Sequence, residues 1–181
     1  MADIRIHDKR FTPFITAVEI QQRVHALAAL INTDYAGKDP LLIGILNGSF
    51  IFAADLFRGL TIEAEISFIK LASYKGTSSS GHVVTAIGLE EELHGRHVII
   101  VEDIIDTGKT LHSFLPGLQQ RQPASVKIAA FLTKPGALQY DVHADYVAFE
   151  IANKFVVGYG LDYDGHGRNY PDLYRLKDAD F

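Results

Sequence analysis

Val98-Ile99-Ile100-Val101-Glu102-Asp103-Ile104-Ile105-Asp106-Thr107-Gly108-Lys109-Thr110 is the stretch that decides the fold. Its first four residues are β-branched and apolar, the composition of a strand buried on both faces, and they run straight into two acids. After Asp106-Thr107-Gly108, Leu111, Phe114, Leu115 and Leu118 recur at helical spacing, so the loop opens a helix in which Pro116 predicts a kink or an early end. Strand, acidic end, loop and helix form one unit of an α/β chain.

The flanking sequence repeats the unit. Upstream, the apolar run 41–46 ends at Asn47-Gly48-Ser49 and a helix resumes over 50–58. Before it, Thr16 and Glu19 have capping-box spacing, and Ile20, Val24, Leu27, Ala28 and Ile31 predict a helix over 17–31. Residues 64–74 read as a strand, with 83–89 as its hairpin partner across a polar loop containing Thr77-Ser78-Ser79-Ser80-Gly81. Further strands are expected at 126–132, 146–151 and 155–157. The fold class is α/β: a central, mostly parallel sheet flanked by helices, in a single domain over 1–181. Ligands of such sheets gather at the carboxyl ends of the strands, which here are the residues after Leu46, Val101 and Leu132.

Composition narrows the function. Hydrophobic residues make up 48% and charged residues 22% of the 181, which excludes a disordered chain or a coiled-coil rod. A net charge of -5 argues against nucleic acid or an anionic membrane as partner, since both require a basic surface. With no cysteine, thiolate nucleophiles, disulfides and cysteine metal sites are excluded together. The first residues hold no signal-peptide hydrophobic region, and no apolar run is long enough to span a bilayer, so a cytoplasmic protein is expected.

The ending Gly108-Lys109-Thr110 has the look of a P-loop, but the glycine required five residues earlier is Asp103. What is left is an acidic pair followed by hydroxyls and amides at a helix N-terminus, a pattern suited to a phosphorylated sugar: diol on the acids, phosphate on the loop. The plainer alternative is a helix N-cap by Asp106 or Thr107 with solvated acids beside it. Plain alternatives also exist for Lys134 before Pro135-Gly136 (a solvated turn lysine), for 155–157 (core strand) and for Asp162 (a turn residue).

Five segments in order, spanning roughly 41–176, carry a resemblance to a known family. Val101 to Thr110 resembles the phosphoribosyl-pyrophosphate motif of type I phosphoribosyltransferases, in the form seen in hypoxanthine-guanine phosphoribosyltransferases. Phe149-Glu150-Ile151 with Lys154-Phe155-Val156-Val157-Gly158-Tyr159-Gly160-Leu161-Asp162-Tyr163 is similar to that family's purine-binding region. Arg168-Asn169-Tyr170-Pro171 resembles its bacterial C-terminal signature, and Leu46-Asn47-Gly48-Ser49 and Ser73-Tyr74 stand where the family has a pyrophosphate loop and a lid.

The resemblance implies the family's fold, with a small hood built from the N- and C-terminal segments. It implies magnesium-dependent transfer of a phosphoribosyl group from phosphoribosyl pyrophosphate to hypoxanthine or guanine, releasing pyrophosphate. Residue by residue, Glu102 and Asp103 would hold the ribose hydroxyls, directly or through Mg2+, and Asp106 would exchange a proton with purine N7. Thr107, Gly108, Lys109 and Thr110 would cradle the 5′-phosphate. Asn47, Gly48 and Arg168 would contact pyrophosphate. Lys134 would meet the 6-oxo group, Phe155 would stack on the ring beside Lys154, and the backbone of Val156 would read its edge. Asp162 would ligate Mg2+ and position the base, while Ser73 and Tyr74 would begin the closing lid. A homodimer or homotetramer is implied. The family often has lysine where this chain has Asn47, which makes the pyrophosphate loop its main departure. A rival reading is a regulator of the same fold that binds the phosphoribosyl ligand without catalysis; Asp106, the purine block and the negative charge favour the enzyme.

Overall fold

The computed structural model describes residues 2–74 and 83–177. Its strands, in chain order, are β1 (Ile4–Ile6), β2 (Lys9–Ile15), β3 (Leu41–Leu46), β4 (Glu65–Tyr74), β5 (Val83–Ile87), β6 (His97–Ile105), β7 (Ser125–Thr133), β8 (Tyr146–Glu150), β9 (Val156–Val157) and β10 (Leu173–Leu176). The helices are α1 (Ala17–Asp34), α2 (Phe50–Arg58) and α3 (Lys109–Gln119), with a single 3₁₀ turn at Pro135–Ala137.

Six strands form the main sheet in the order β5-β4-β3-β6-β7-β8, all neighbours parallel except the β4–β5 hairpin. Period-two alternation sends its side chains to two cores. Leu42, Ile99, Val101 and Phe131 pack under α1 and α2, whereas Leu41, Ile43, Val98 and Ile100 pack under α3. The expected parallel sheet covered on both faces is therefore present. The implied hood is a second, antiparallel sheet, β1-β2-β10-β9, joining the two ends of the described chain over Phe11, Val157 and Leu176.

Several boundaries differ from the sequence reading. The capping box of Thr16 and Glu19 starts α1 as expected, but the helix runs three residues past Ile31. Its polar last turn is anchored: Asn32 donates to the Gly59 carbonyl at 3.2 Å and accepts from the Thr61 amide at 2.9 Å. Strand β6 continues past Val101, because Glu102, Ile104 and Ile105 stay in register with Ala130, Leu132 and Thr133 of β7. The two acids thus lie inside the final residues of the strand rather than after it. Pro116 neither ends α3 nor displaces its core face; Gln120 still donates to the Pro116 carbonyl at 3.1 Å. Among the described residues, no helix is long and apolar enough to cross a membrane.

Candidate active site

Strand β6 delivers two carboxylates in a row, Glu102 buried and Asp103 partly buried. Glu102 is buried, with Oε2 lacking a hydrogen-bond partner among the described residues. Burial, reinforced by the charge of Asp103, holds its carboxyl well above the usual carboxylate range. Asp103 is likewise pushed up by burial, to about 6, although Oδ1 accepts from the Ile104 amide at 2.8 Å. Arg168 pulls it down and Asp162 pushes it up, which places these two hood residues around the sheet carboxylate.

Asp106 follows on the loop leaving β6. Lys134, at the equivalent end of β7, donates from Nζ to Asp106 Oδ2 at 2.9 Å. The lysine side chain is 8% exposed and the aspartate 48%, so the plain reading of Lys134 as a solvated turn residue fails. Its amide is fixed to the Ile105 carbonyl at 3.0 Å, which sets the two strand ends side by side.

The loop 107–110 cradles open space. Gly108 takes φ +81° at the helix N-cap, where a Cβ would come within 3.1 Å of Leu138. The N-cap residue of α3 is Gly108, so neither Asp106 nor Thr107 holds the N-cap position the plainer alternative gave them. The Thr107 carbonyl instead accepts from the amides of Gln139 and Tyr140 at 3.0 and 3.1 Å, and its hydroxyl accepts a long bond from the Lys109 amide, 3.3 Å. The amides of Gly108, Thr110 and Leu111 then have no partner among the described residues. A cavity of about 90 Å³ is lined by this loop with Glu102, Ile104 and Asp106. Unpaired helix-start amides around such a space are chemically suited to an anion.

Backbone contacts close the other side. A Cβ on Gly48 would lie 1.5 Å from Asp103 Oδ2, and one on Gly160 would lie 2.2 Å from the Gly48 carbonyl oxygen. Only glycine fits either place. The peptide between Leu46 and the exposed Asn47 is cis. Arg168 Nη2 pairs with Asp162 Oδ1 at 2.7 Å, Arg168 Nη1 donates to the Gly160 carbonyl at 2.7 Å, and Asp162 Oδ2 accepts from the Gly165 amide at 2.7 Å. Asp103, Gly48, Gly160, Asp162 and Arg168 therefore form one continuous wall.

Phe155 is 42% exposed, with its ring against Phe11 (centroids 6.3 Å apart) and edge-to-face with Tyr163 (5.9 Å). An aromatic ring held on two sides and open on another suits stacking. Its carbonyl accepts from the Leu176 amide at 2.8 Å, so by alternation the N–H and C=O of Val156 point away from β10, to the open side of edge strand β9. Lys154 is partly buried beside it. Ser73 and Tyr74 end the backbone of β4; their side chains and the lid stretch after them lie outside the described residues. Ile104 and Gly160 were missed by sequence reasoning. Alternation from Glu102 was a usable signal for Ile104, and the Gly158-Tyr159-Gly160 spacing one for Gly160. Among the described residues, no three acidic or imidazole groups converge into a ready-made metal site.

Comparison with known proteins agrees with this geometry. The family model described as phosphoribosyl transferase domain matches residues 16–164. A hypoxanthine-guanine phosphoribosyltransferase of Streptococcus pneumoniae is 45% identical over 161 residues, covering 88% of this chain and 89% of the relative. A hypoxanthine-guanine-xanthine phosphoribosyltransferase of Tritrichomonas foetus is 40% identical over 162 residues, covering 89% and 88%. The crystal structure of a hypoxanthine phosphoribosyltransferase from Staphylococcus aureus superposes with a TM-score of 0.85 at 38% identity, covering 92% of this chain and 91% of that one. With the acidic pair, the amide cradle and the hood in the same chain, this protein belongs to the phosphoribosyltransferase family.

Proposed function

We propose that this chain is a purine-salvage enzyme that transfers the phosphoribosyl group of phosphoribosyl pyrophosphate to hypoxanthine or guanine, giving the nucleoside monophosphate and pyrophosphate. The observation that carries the reading is the Asp106–Lys134 pair at the mouth of the amide cradle. The cradle takes the 5′-phosphate, and the carboxylates of Glu102 and Asp103 take the ribose hydroxyls. Cationic charge developing on the ribose ring as pyrophosphate departs is stabilised by these acids in a water-poor site. Asp106 accepts the proton that the purine must lose, and Lys134 Nζ turns from Asp106 to the 6-oxo group. Phe155 stacks on the ring and Val156 reads its edge, while Asn47, Gly48 and Arg168 hold pyrophosphate.

The donor set fits a hard cation. The unpartnered Glu102 Oε2 and the mutually repelling Asp103 and Asp162 carboxylates are oxygen ligands awaiting positive charge. Glu102, Asp103 and Asp162 would hold Mg2+, which would supply charge neutralisation of the leaving pyrophosphate. A homodimer or homotetramer working in the cytoplasm is the assembly and setting that accompany this reading.

Base choice tests it. Lys134 is a donor without an acceptor lone pair, so adenine, with an amino group at position 6, presents donor to donor. The unprotonated N1 of adenine also leaves the Val156 carbonyl unmatched. At about 1–3 kcal/mol for each buried mismatch, discrimination on the order of 10²-fold or more in kcat/KM follows. The assay supplies phosphoribosyl pyrophosphate, Mg2+ and each purine in turn and follows monophosphate formation. Equal kcat/KM for adenine and hypoxanthine would remove the 6-oxopurine assignment, and no product from any base would remove the enzyme.

A further inference from the structure

Tyr159 carries a demand that the transfer reaction does not itself explain. It is a non-glycine residue at φ +48°, 3% exposed, with its ring 4.8 Å from that of Phe131. Large side chains rarely adopt this backbone region, and they persist there only where the surroundings fix them. Three bonds do so. Its amide donates to the Tyr170 carbonyl at 2.8 Å, and its hydroxyl donates to Asp55 Oδ2 on α2 at 2.7 Å. The same carboxylate oxygen accepts from Gln21 Nε2 of α1 at 2.7 Å, so Asp55 is held by α1 while it holds the tyrosine.

The next residue is Gly160, which touches two parts of the site, Arg168 and the Gly48 loop. Its amide donates to the Arg168 carbonyl at 3.0 Å, its carbonyl accepts from Arg168 Nη1 at 2.7 Å, and its Cα is packed against the Gly48 carbonyl. Gly48 in turn is seated on Asp103. A line of contact therefore runs Asp55, Tyr159, Gly160, then to Arg168 on one branch and Gly48 on the other. Both branches reach groups that our reading gives to pyrophosphate and continue to Asp103 and Asp162, which it gives to Mg2+; neither reaches Asp106, Lys134 or Phe155.

We infer that Asp55 and the Tyr159 hydroxyl are positioning residues for the pyrophosphate half of the site, setting Gly160 so that Arg168 and the Gly48 loop bind the diphosphate together. The inference rests on the proposed transfer reaction and deepens it. Loss of the phenol hydroxyl frees Tyr159 to relax out of the left-handed region, which shifts Gly160 and uncouples the two branches. The cost falls on diphosphate binding rather than on the base or the proton transfer. Burial and the acid beside it hold the Tyr159 phenol well above its ordinary range, so it stays a donor at every working pH.

The test uses the full-length protein with Tyr159→Phe, Asp55→Ala and Asp55→Asn, after the unaltered chain has been shown to transfer to hypoxanthine. If it does not transfer, the functional reading fails before any variant is made. Tyr159→Phe and Asp55→Ala should raise the KM for phosphoribosyl pyrophosphate about 5- to 20-fold, the size expected for one lost orienting hydrogen bond. The dissociation constant of Mg2+-pyrophosphate, measured by calorimetry, should rise in parallel, with kcat and the KM for hypoxanthine within about twofold. Asp55→Asn keeps a carbonyl oxygen to accept from both Tyr159 and Gln21, so it should restore diphosphate affinity to within about twofold of the unaltered chain. Unchanged diphosphate affinity in Tyr159→Phe would overturn the inference. So would an equal loss for both substrates, or an Asp55→Asn variant as impaired as Asp55→Ala.

Discussion

Asparagine at position 106 would keep the size of the side chain and an oxygen for Lys134 to donate to, but it cannot take up a proton. General-base catalysis is typically worth about 10²–10⁴-fold, so Asp106→Asn should lower kcat by that factor with both KM values little changed. Turnover within threefold of the unaltered chain would take the base role away from Asp106. Asp103 makes a different prediction, about pH. Its carboxyl sits at about 6 in the fold against 3.8 unperturbed, so the fold favours the protonated form. Below about pH 4 folded and unfolded chains are both protonated there and nothing is lost. Between about pH 4 and 6 the unfolded chain releases its proton first, and stability falls by about 3 kcal/mol in total. Asp103→Asn should therefore be inactive yet more stable than the unaltered chain at pH 7, the gain vanishing near pH 3.5. Urea unfolding at the two pH values reads this directly, and an equal gain at both would show that ionisation is not the cause. At this scale the sequence singled out the acidic pair, Gly48 and Lys134, but not Gly160. What it did not contain was juxtaposition: the Asp103–Gly48–Gly160 contact joins three segments far apart in the chain.

Among the elements, α3 departs furthest from what its residues suggest. Pro116 lies within the helix, exposed, where it withholds one amide from the ladder. Pro116→Ala restores that bond about two turns away from the loop 107–110. The gain is offset in part by a freer unfolded chain, leaving about 1–2 kcal/mol net, or a Tm increase of a few degrees. Activity should not move; a lower Tm would mean that the proline shapes the packing of Leu111, Phe114 and Leu118. Apolar strands and the capping box of α1 were plain in the sequence because each is a local signal. The true end of β6 was not, because Glu102 to Ile105 owe their strand geometry to β7 alongside, and acids of themselves disfavour a strand.

At the scale of the whole molecule, the main sheet was readable from the alternation of apolar runs and helices, whereas of the hood only the strand at 155–157 was read from the residues and the rest entered through family resemblance. Its strands have three, seven, two and four residues, too short for a periodicity to show. Pro13 further disguises β2; it is accommodated beside a register shift where Leu173 pairs with Ile15 but Tyr174 with Pro13. That pairing of β2 with β10 has a consequence in time. The two strands are separated by nearly the whole chain, and closing so long a loop is entropically costly until the intervening sheet has brought the ends together. During synthesis, residues 41–150 can condense while β10 is still inside the ribosome, so a nascent chain would own its phosphate cradle before it owned Arg168 in place. Refolding from urea should then show far-UV ellipticity returning ahead of transferase activity, and simultaneous recovery would contradict it. Between those two moments the cell would hold a half-built enzyme, with the loop that our reading gives to the sugar phosphate but without the hood that brings Asp162 and Arg168 to it.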